Sequence, residues 1–396
     1  MPHTSVVTFT TTGIASVGLE YDIDGKIIIK TAQDSYSFSP VIRSFAKSIT
    51  AKSLETAKSI FIQKSVHPVF ASKQQTYGIQ EFQDNVIERL QMLPINRPEI
   101  TNVTDLTTQL TQDYHKFLNA YLKYFREPVF LVHADVFRVH VLTAVPQTLG
   151  LKTVWQIKQV IVNFKDLTAF TRRIQGTIEP FIAANIPKNN LYNLIFNFLN
   201  LKTVRTSSAK LQDIMRAVFM ELFIEAAQAL NLFDISAGTF ILTGEYPLLV
   251  SNFGQTLLSI LDGFVLKGLW GVYIDTEFLI PSLFTLWQQQ GIVHSEMFLP
   301  FVGVVYIPLT QEPASVKLRT HKKQYVGVPH DIIRFNVKKQ TDIIFSSDVQ
   351  IMYPEDILVN TIIIDQRARP VEYGPTPRNN FVKINKAINK LNKIVS

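Results

Sequence analysis

The stretch from Phe240 to Trp287, FILTGEYPLLVSNFGQTLLSILDGFVLKGLWGVYIDTEFLIPSLFTLW, constrains this chain more than any other. It is the most apolar part of the sequence. It must therefore be hidden from water, in a membrane, in a core or in the wall of a cleft. A membrane-spanning helix needs about 18–20 consecutive apolar residues. Here Glu245, Asp262, Lys267, Asp275 and Glu277 interrupt the run, together with Gly244, Gly254, Gly263, Gly268 and Gly271. The segment reads as the core of a folded domain. Within it GTFILTGE has the character of a short buried strand, GQTLLSILDGF of a helix, LWGVYID of a strand and IPSLFTLWQQQ of a helix. Strands alternating with helices imply an α/β sheet with parallel strands.

The 396 residues allow two or three such units, and 46% hydrophobic against 18% charged residues excludes a disordered chain. Cysteine is absent, which removes disulfides, thiolate metal sites and thiol nucleophiles and suits a reducing compartment. The expectation is a cytoplasmic protein, because MPHTSVVTFTTTGIASVGLEYD lacks the basic start and long apolar centre of a signal peptide. The formal charge of +7 is modest for this length and demands neither nucleic acid nor lipid.

Outside the apolar stretch the pattern changes several times. Residues 5–38 read as strands, with Asp22 to Gly25 as a turn. Residues 41–125 read as mainly helical. In one helix Ile79, Phe82, Val86, Ile87 and Leu90 recur at helical spacing, and in a second, capped by Thr104, so do Leu106, Leu110, Tyr114, Phe117, Leu118 and Tyr121. Residues 127–145, EPVFLVHADVFRVHVLTAV, form a long strand or a hairpin, and 151–230 read as helical again. Their last part, SSAKLQDIMRAVFMELFIEAAQALNLF, is a long helix buried on several sides, with Ser207 or Ser208 as its cap. Residues 299–366 carry short strands between turns and read as a small barrel or sandwich of their own. The expected divisions are 1–126, 127–298, 299–366 and 367–396.

Signatures of chemistry are scarce. There is no phosphate loop of the G-x-x-x-x-G-K-[ST] kind, no G-x-G-x-x-G and no G-x-S-x-G; Gly13 to Gly18 has the wrong spacing. The histidines are scattered, and on an unbroken strand His133 and His140, seven apart, would face opposite sides, so no metal site is expected. Asp135 and Arg138 between them imply an edge strand or a strand end facing a cleft. The acid pairs Asp22/Asp24 and Asp275/Glu277 read as turn and strand-end residues. Lys317 to Lys323, KLRTHKK, is the densest basic run, but only Tyr325 lies near for stacking, so it reads as a solvated hairpin and no nucleic acid is expected.

The end of the chain is a basic amphipathic helix. Phe381, Ile384, Ala387, Ile388, Leu391 and Ile394 or Val395 share one face, while Arg378, Lys383, Lys386, Lys390 and Lys393 occupy the rest, with no acid. Two readings fit: peripheral membrane attachment through 378–396, or a helix docked on its own domain, which needs the same apolar stripe and is the favoured one.

Three segments together resemble the glutamate mutase accessory proteins of the MutL or GlmL family, within the superfamily of actin-like, sugar-kinase and Hsp70-type ATPases. They are NFLNLKTVRTSSAKLQDIMRAVFMELFIEAA (197–227), ILTGEYPLLVSNFGQTLLSILDGFVLKGLWGVYIDTEFLIPSLFTL (241–286) and DILVNTIIIDQRARPVEYGPTPRNNFVKINKAINKL (356–391). The resemblance covers about 127–396 and implies two ribonuclease H-like α/β halves around a nucleotide cleft. The superfamily's ATP-binding members carry a first phosphate hairpin, D-x-G-[ST]-x-[ST], a second, D-I-G-G-x-T-T-D, and a Gly-Gly adenosine turn.

All three are eroded here. At the first hairpin, Thr11-Thr12-Gly13-Ile14-Ala15-Ser16, Gly13 and Ser16 match but Thr11 stands where Asp belongs. At the second, His133 takes the acid position beside Asp135, with no glycine. At the adenosine turn, Thr243-Gly244-Glu245 keeps one glycine and replaces the other by Glu245. The expectation is a retained fold without catalytic residues, without ATP or magnesium, acting through a protein partner in an assembly or chaperone-like role. The rivals are a membrane-associated scaffold using the C-terminal helix and a protein that still binds ATP.

Overall fold

The structure is a computed structural model. It describes residues 4–9, 13–21, 27–35, 59–64 and 99–102, and then, with gaps, 114–163, 178–195, 209–290, 301–309, 317–336, 343–351, 361–371 and 377–394. Five strands form a first sheet: β1 (Thr4–Phe9), β2 (Gly13–Tyr21), β3 (Ile27–Ser35), β4 (Ser59–Lys64) and β5 (Glu99–Asn102), in the order β3-β2-β1-β4-β5. β1, β2 and β3 run antiparallel as a meander, and β4 and β5 continue parallel to β1.

A second sheet repeats this plan. β6 (Val129–Ala134), β7 (Arg138–Leu149) and β8 (Lys152–Asn163) form an antiparallel meander. Helix α1 (Ala209–Leu230) leads to β9 (Ala237–Thr243). The short α2 (Tyr246–Leu249) and α3 (Phe253–Gly263) lead to β10 (Gly268–Ile274), and α4 (Leu279–Gln290) follows. β9 is parallel to β6 and β10 to β9, so β8-β7-β6-β9-β10 reproduces β3-β2-β1-β4-β5 strand for strand and direction for direction.

Beyond β10 the second sheet grows by three strands. β11 (Phe301–Ile307) pairs antiparallel with β10. The chain then leaves to make β12 (Lys317–Arg319) and β13 (Gln324–Val326), and returns as β14 (Ile332–Asn336). It leaves again for β15 (Ile343–Ile344) and β16 (Gln350–Ile351), and returns as β17 (Thr361–Asp365), which enters between β11 and β14. α5 (Pro377–Asn392) closes the described chain.

Both faces of the second sheet are covered, so its central strands are apolar on both sides. In β6, Phe130, Val132 and Ala134 face one core with α1, α3 and α5, while Val129 and Leu131 face another with helical residues 114–120 and α4. Tyr114, Phe117 and Leu118, expected at helical spacing, are fully buried in that second core. α1 is buried on most of its circumference, as its sequence implied, and its Arg216 is enclosed with Asp213 as partner at 2.9 Å. α3 starts at Asn252, whose side chain accepts from Gln255 N. It lies so close to α5 that a Cβ on Gly254 would stand 2.6 Å from the Ile388 carbonyl oxygen.

Several expectations need correction. Residues 59–64 and 99–102, placed in a helical region, are strands β4 and β5. Residues 152–163, also read as helical, are β8; Val154, Ile157, Val160, Ile161 and Val162 favour the pleat, and twelve residues pair in register with β7. The 299–366 segment is not one β unit: β11, β14 and β17 belong to the large sheet, and only β12, β13, β15 and β16 form a separate one. The expected helix around 79–90 and the caps Thr104, Ser207 and Ser208 lie outside the described residues.

Candidate functional site

In sheets of this kind ligands gather at the carboxyl ends of the parallel strands. Those ends in the second sheet are Ala134 of β6, Thr243 of β9 and Ile274 of β10. His133 of β6 stands in register with Thr243 of β9 on one side and with His140 of β7 on the other. The two histidines thus share a face. The reason is the chain reversal at 135–138, which turns 127–145 into a hairpin and cancels the alternation of an unbroken strand.

Asp135 and Arg138 make that reversal. One Asp135 carboxylate oxygen accepts from the Arg138 backbone N–H at 2.9 Å, the other from Arg138 Nε at 3.0 Å, and both side chains are nearly enclosed. The ion pair holds the two strand ends together across the turn.

Tyr114 covers the two histidines, its ring centroid 5.9 Å from His133 and 6.0 Å from His140. Neither histidine is at the surface: their exposures are 3% and 1%. Burial, and then the Arg138 charge, hold His133 well below the ordinary imidazole range. The same causes lower His140 to about 4. Both are neutral at pH 7. Burial, then the Asp275 charge, pushes the Tyr114 phenol upward, so it stays protonated.

Asp275 directly follows β10 and is fully buried. Thr243 Oγ1 donates to it at 2.7 Å, Leu279 N at 2.8 Å, Ile280 N at 2.9 Å and Glu277 N at 3.3 Å. It ties β9 to β10 and satisfies the orphan amides at the start of α4. Burial raises its pKa and these bonds oppose the rise. Gly244 follows Thr243 with φ +98°, and a Cβ there would stand 2.5 Å from the Ala134 carbonyl oxygen. Only glycine lets the end of β9 lie on the end of β6. Glu245 is buried at the start of α2, and its carbonyl accepts from Leu248 N and Leu249 N, both at 3.0 Å.

His133, Asp135, Thr243, Gly244 and Glu245 are therefore gathered at the adjoining ends of β6 and β9. Gly13 and Ser16 lie on β2, opposite Ser35 and Val7, in the hairpin that the duplication matches to β6–β7; Thr11 and Thr12 lie outside the described residues. The sequence reading left out Tyr114, His140 and Asp275 as members of the site. An aspartate at the end of an apolar strand, four residues before an apolar helix, was the legible signal for Asp275.

The C-terminal helix is docked. Ile384, Ala387, Ile388 and Leu391 are buried in the core, Asn392 Oδ1 accepts from Gly254 N at 2.8 Å, and Arg334 Nη1 donates to the Leu391 carbonyl at 3.1 Å. The favoured reading of this stripe is the observed one, and insertion of the apolar face into lipid is excluded while the helix is docked. The Phe381 side chain lies outside the described residues. Near the helix, Arg367 joins two buried acids, Asp262 at 2.8 and 3.1 Å and Asp365 at 2.7 and 2.9 Å, so β17 is locked to the end of α3.

The repeated five-strand plan, with helices on both faces of the second sheet, defines the actin-like, ribonuclease H-like α/β fold. No protein-family model matches the chain, and no curated protein matches it in sequence. Solved structures do. A ROK family glucokinase from Streptomyces griseus is 14% identical, over 71% of this chain and 98% of its own, with a TM-score of 0.30. An exopolyphosphatase from Cytophaga hutchinsonii is 8% identical, over 65% and 71%, with a TM-score of 0.31. A protein of unknown function with an actin-like ATPase fold from Bacteroides thetaiotaomicron is 8% identical, over 70% and 92%, with a TM-score of 0.27. Likeness at this level carries no argument about the site, and the fold rests on the strand order. Among the described residues no helix is long and apolar enough to cross a membrane.

Proposed function

We propose that this chain is a non-catalytic actin-like protein that works through protein contacts, in an assembly or chaperone-like role of the kind its MutL-like patterns imply. The observation that carries the reading is the occupation of the strand-end carboxylates. Asp135 is closed in a pair with Arg138, and Asp275 accepts four hydrogen bonds from its own chain. A magnesium nucleotide needs carboxylates free to orient hydrated metal and a turn whose backbone can approach phosphate. The residues of this hairpin do not fit that group, and two neutral, buried histidines offer it no charge. The fold is retained as a rigid body for recognition.

Isothermal titration of the full chain with ATP and magnesium tests the reading, with a phosphate-release assay alongside. No heat and no release above a protein-free control are expected. Micromolar binding would overturn it. Affinity purification from the source cell, quantified against a tag-only control, then asks for the partner, and a cobalamin-dependent mutase is the specific partner that the resemblance implies.

A further inference from the structure

The docked terminal helix leaves a second surface that the core does not use. At about 100° per residue, α5 divides into three faces. The apolar face, Ile384, Ala387, Ile388 and Leu391, is buried in the core. A polar face holds Asn385 and Asn392, which bond the Ala183 carbonyl and Asn252. The remaining arc, roughly 100° wide, contains Val382, Lys386, Lys390 and Lys383, and Lys393 and Ile394 follow directly after the helix. Lys383 and Lys393 are exposed, the Lys386 and Lys390 side chains are 60% and 44% exposed, and Val382 and Ile394 are 59% and 42% exposed. No acid lies in the helix. The nearby Asp331 touches Lys390 at 3.2 Å and Lys386 at 3.8 Å and steadies the middle of the row.

We infer that this lysine face docks the protein on an anionic phospholipid bilayer. Three ammonium groups lie along about 10 Å of one helix, Lys393 follows at its end, and an exposed apolar side chain stands at each end of the row. A bilayer matches that arrangement, offering spread negative charge with apolar depth beneath it. The mode is adsorption and not insertion, because the apolar stripe is already committed to the core. Among the described residues Val382, on the helix, and Ile394, just beyond its end, are the exposed apolar side chains of this surface placed to enter the lipid boundary. This surface is independent of the strand-end site.

The test is flotation of the full chain with vesicles of phosphatidylcholine, with and without phosphatidylglycerol. Deleting 378–396 is unsuitable, since it would open the core. Binding is expected only to the anionic vesicles, and raised salt should weaken it about tenfold. The pair Lys383→Glu/Lys393→Glu should lower it about tenfold or more with an unchanged melting curve. Val382→Asp should lower it less. Where charge reversal disturbs the melt, Lys383→Ala/Lys393→Ala replaces it. Absence of binding to anionic vesicles at low salt overturns the inference, as does binding unmoved by these substitutions. Capture by soluble polyglutamate without vesicle binding overturns it too, and marks the face as a site for an acidic polypeptide.

Discussion

Acid should loosen the hairpin that carries His133 and His140, and the effect can be worked from His140 alone. In the folded chain its proton affinity is held at about 4, by burial first and the Arg138 guanidinium second. In the unfolded chain it regains the ordinary value of about 6.5. The unfolded state then binds more protons, so stability rises with pH across this interval and falls as acid is added. Nothing changes above about pH 7. Between pH 7 and pH 5 this one group withdraws about 2 kcal/mol, and more below that until the folded form itself takes up the proton. His133 pushes the same way. Carboxylates also contribute to acid lability, so the measurement must be a difference. Urea unfolding at pH 7 and pH 5 should be compared between the wild type and His140→Phe, whose ring can still pack on Tyr114. The variant should lose about 2 kcal/mol less on acidification. An identical pH dependence in the two proteins would refute the reasoning. So would an NMR titration showing His140 protonating near pH 6.5 in the folded chain, because the imidazole would then be exposed.

Three further outcomes follow from the same packing. Gly244→Ala should cost about 2 kcal/mol or more in denaturant unfolding, because the residue sits at φ +98° against the Ala134 carbonyl; an unchanged midpoint would mean that β9 can move off β6. Arg367→Met should cost about 3–5 kcal/mol by leaving Asp262 and Asp365 buried without their cation, and adding Asp262→Leu should recover part of the loss in a double-mutant cycle. Leu391→Ala should cost about 2–5 kcal/mol in thermal or urea unfolding, whereas a freely swinging terminal helix would show almost none.

The legible parts of the fold were those where one physical demand ruled. From 237 to 290 β9, α3, β10 and α4 were readable and only the single turn of α2 was not, since apolar strands bounded by glycines alternate with amphipathic helices and neighbours in sequence are neighbours in space. Reading failed where pairing at a distance decided the outcome. The segment 152–163 has no strong period, and its β-branched residues decide for a strand only together with its pairing to β7. β11, β14 and β17 look like parts of a local β unit, because nothing in a short strand announces which sheet it joins. At the site, Gly244 and the altered turn around His133 were visible as departures from a pattern. That His133 and His140 share a face was not, because it depends on where the chain reverses, and the sequence between the two strands carries neither Gly nor Pro to mark the place.

The placing of β17 has a consequence for synthesis on the ribosome. This strand, Thr361–Asp365, fills the slot between β11 and β14, and both of those are made earlier. Until residues 361–365 have emerged, β11 has an unpaired edge and β14 has no partner in the large sheet, while α3 waits for the helix that will cover it. The second half therefore cannot finish folding piece by piece as it is translated. A strand edge that stays open for so long invites pairing with another nascent chain, so a ribosome stalled before residue 361 should release a product prone to aggregate.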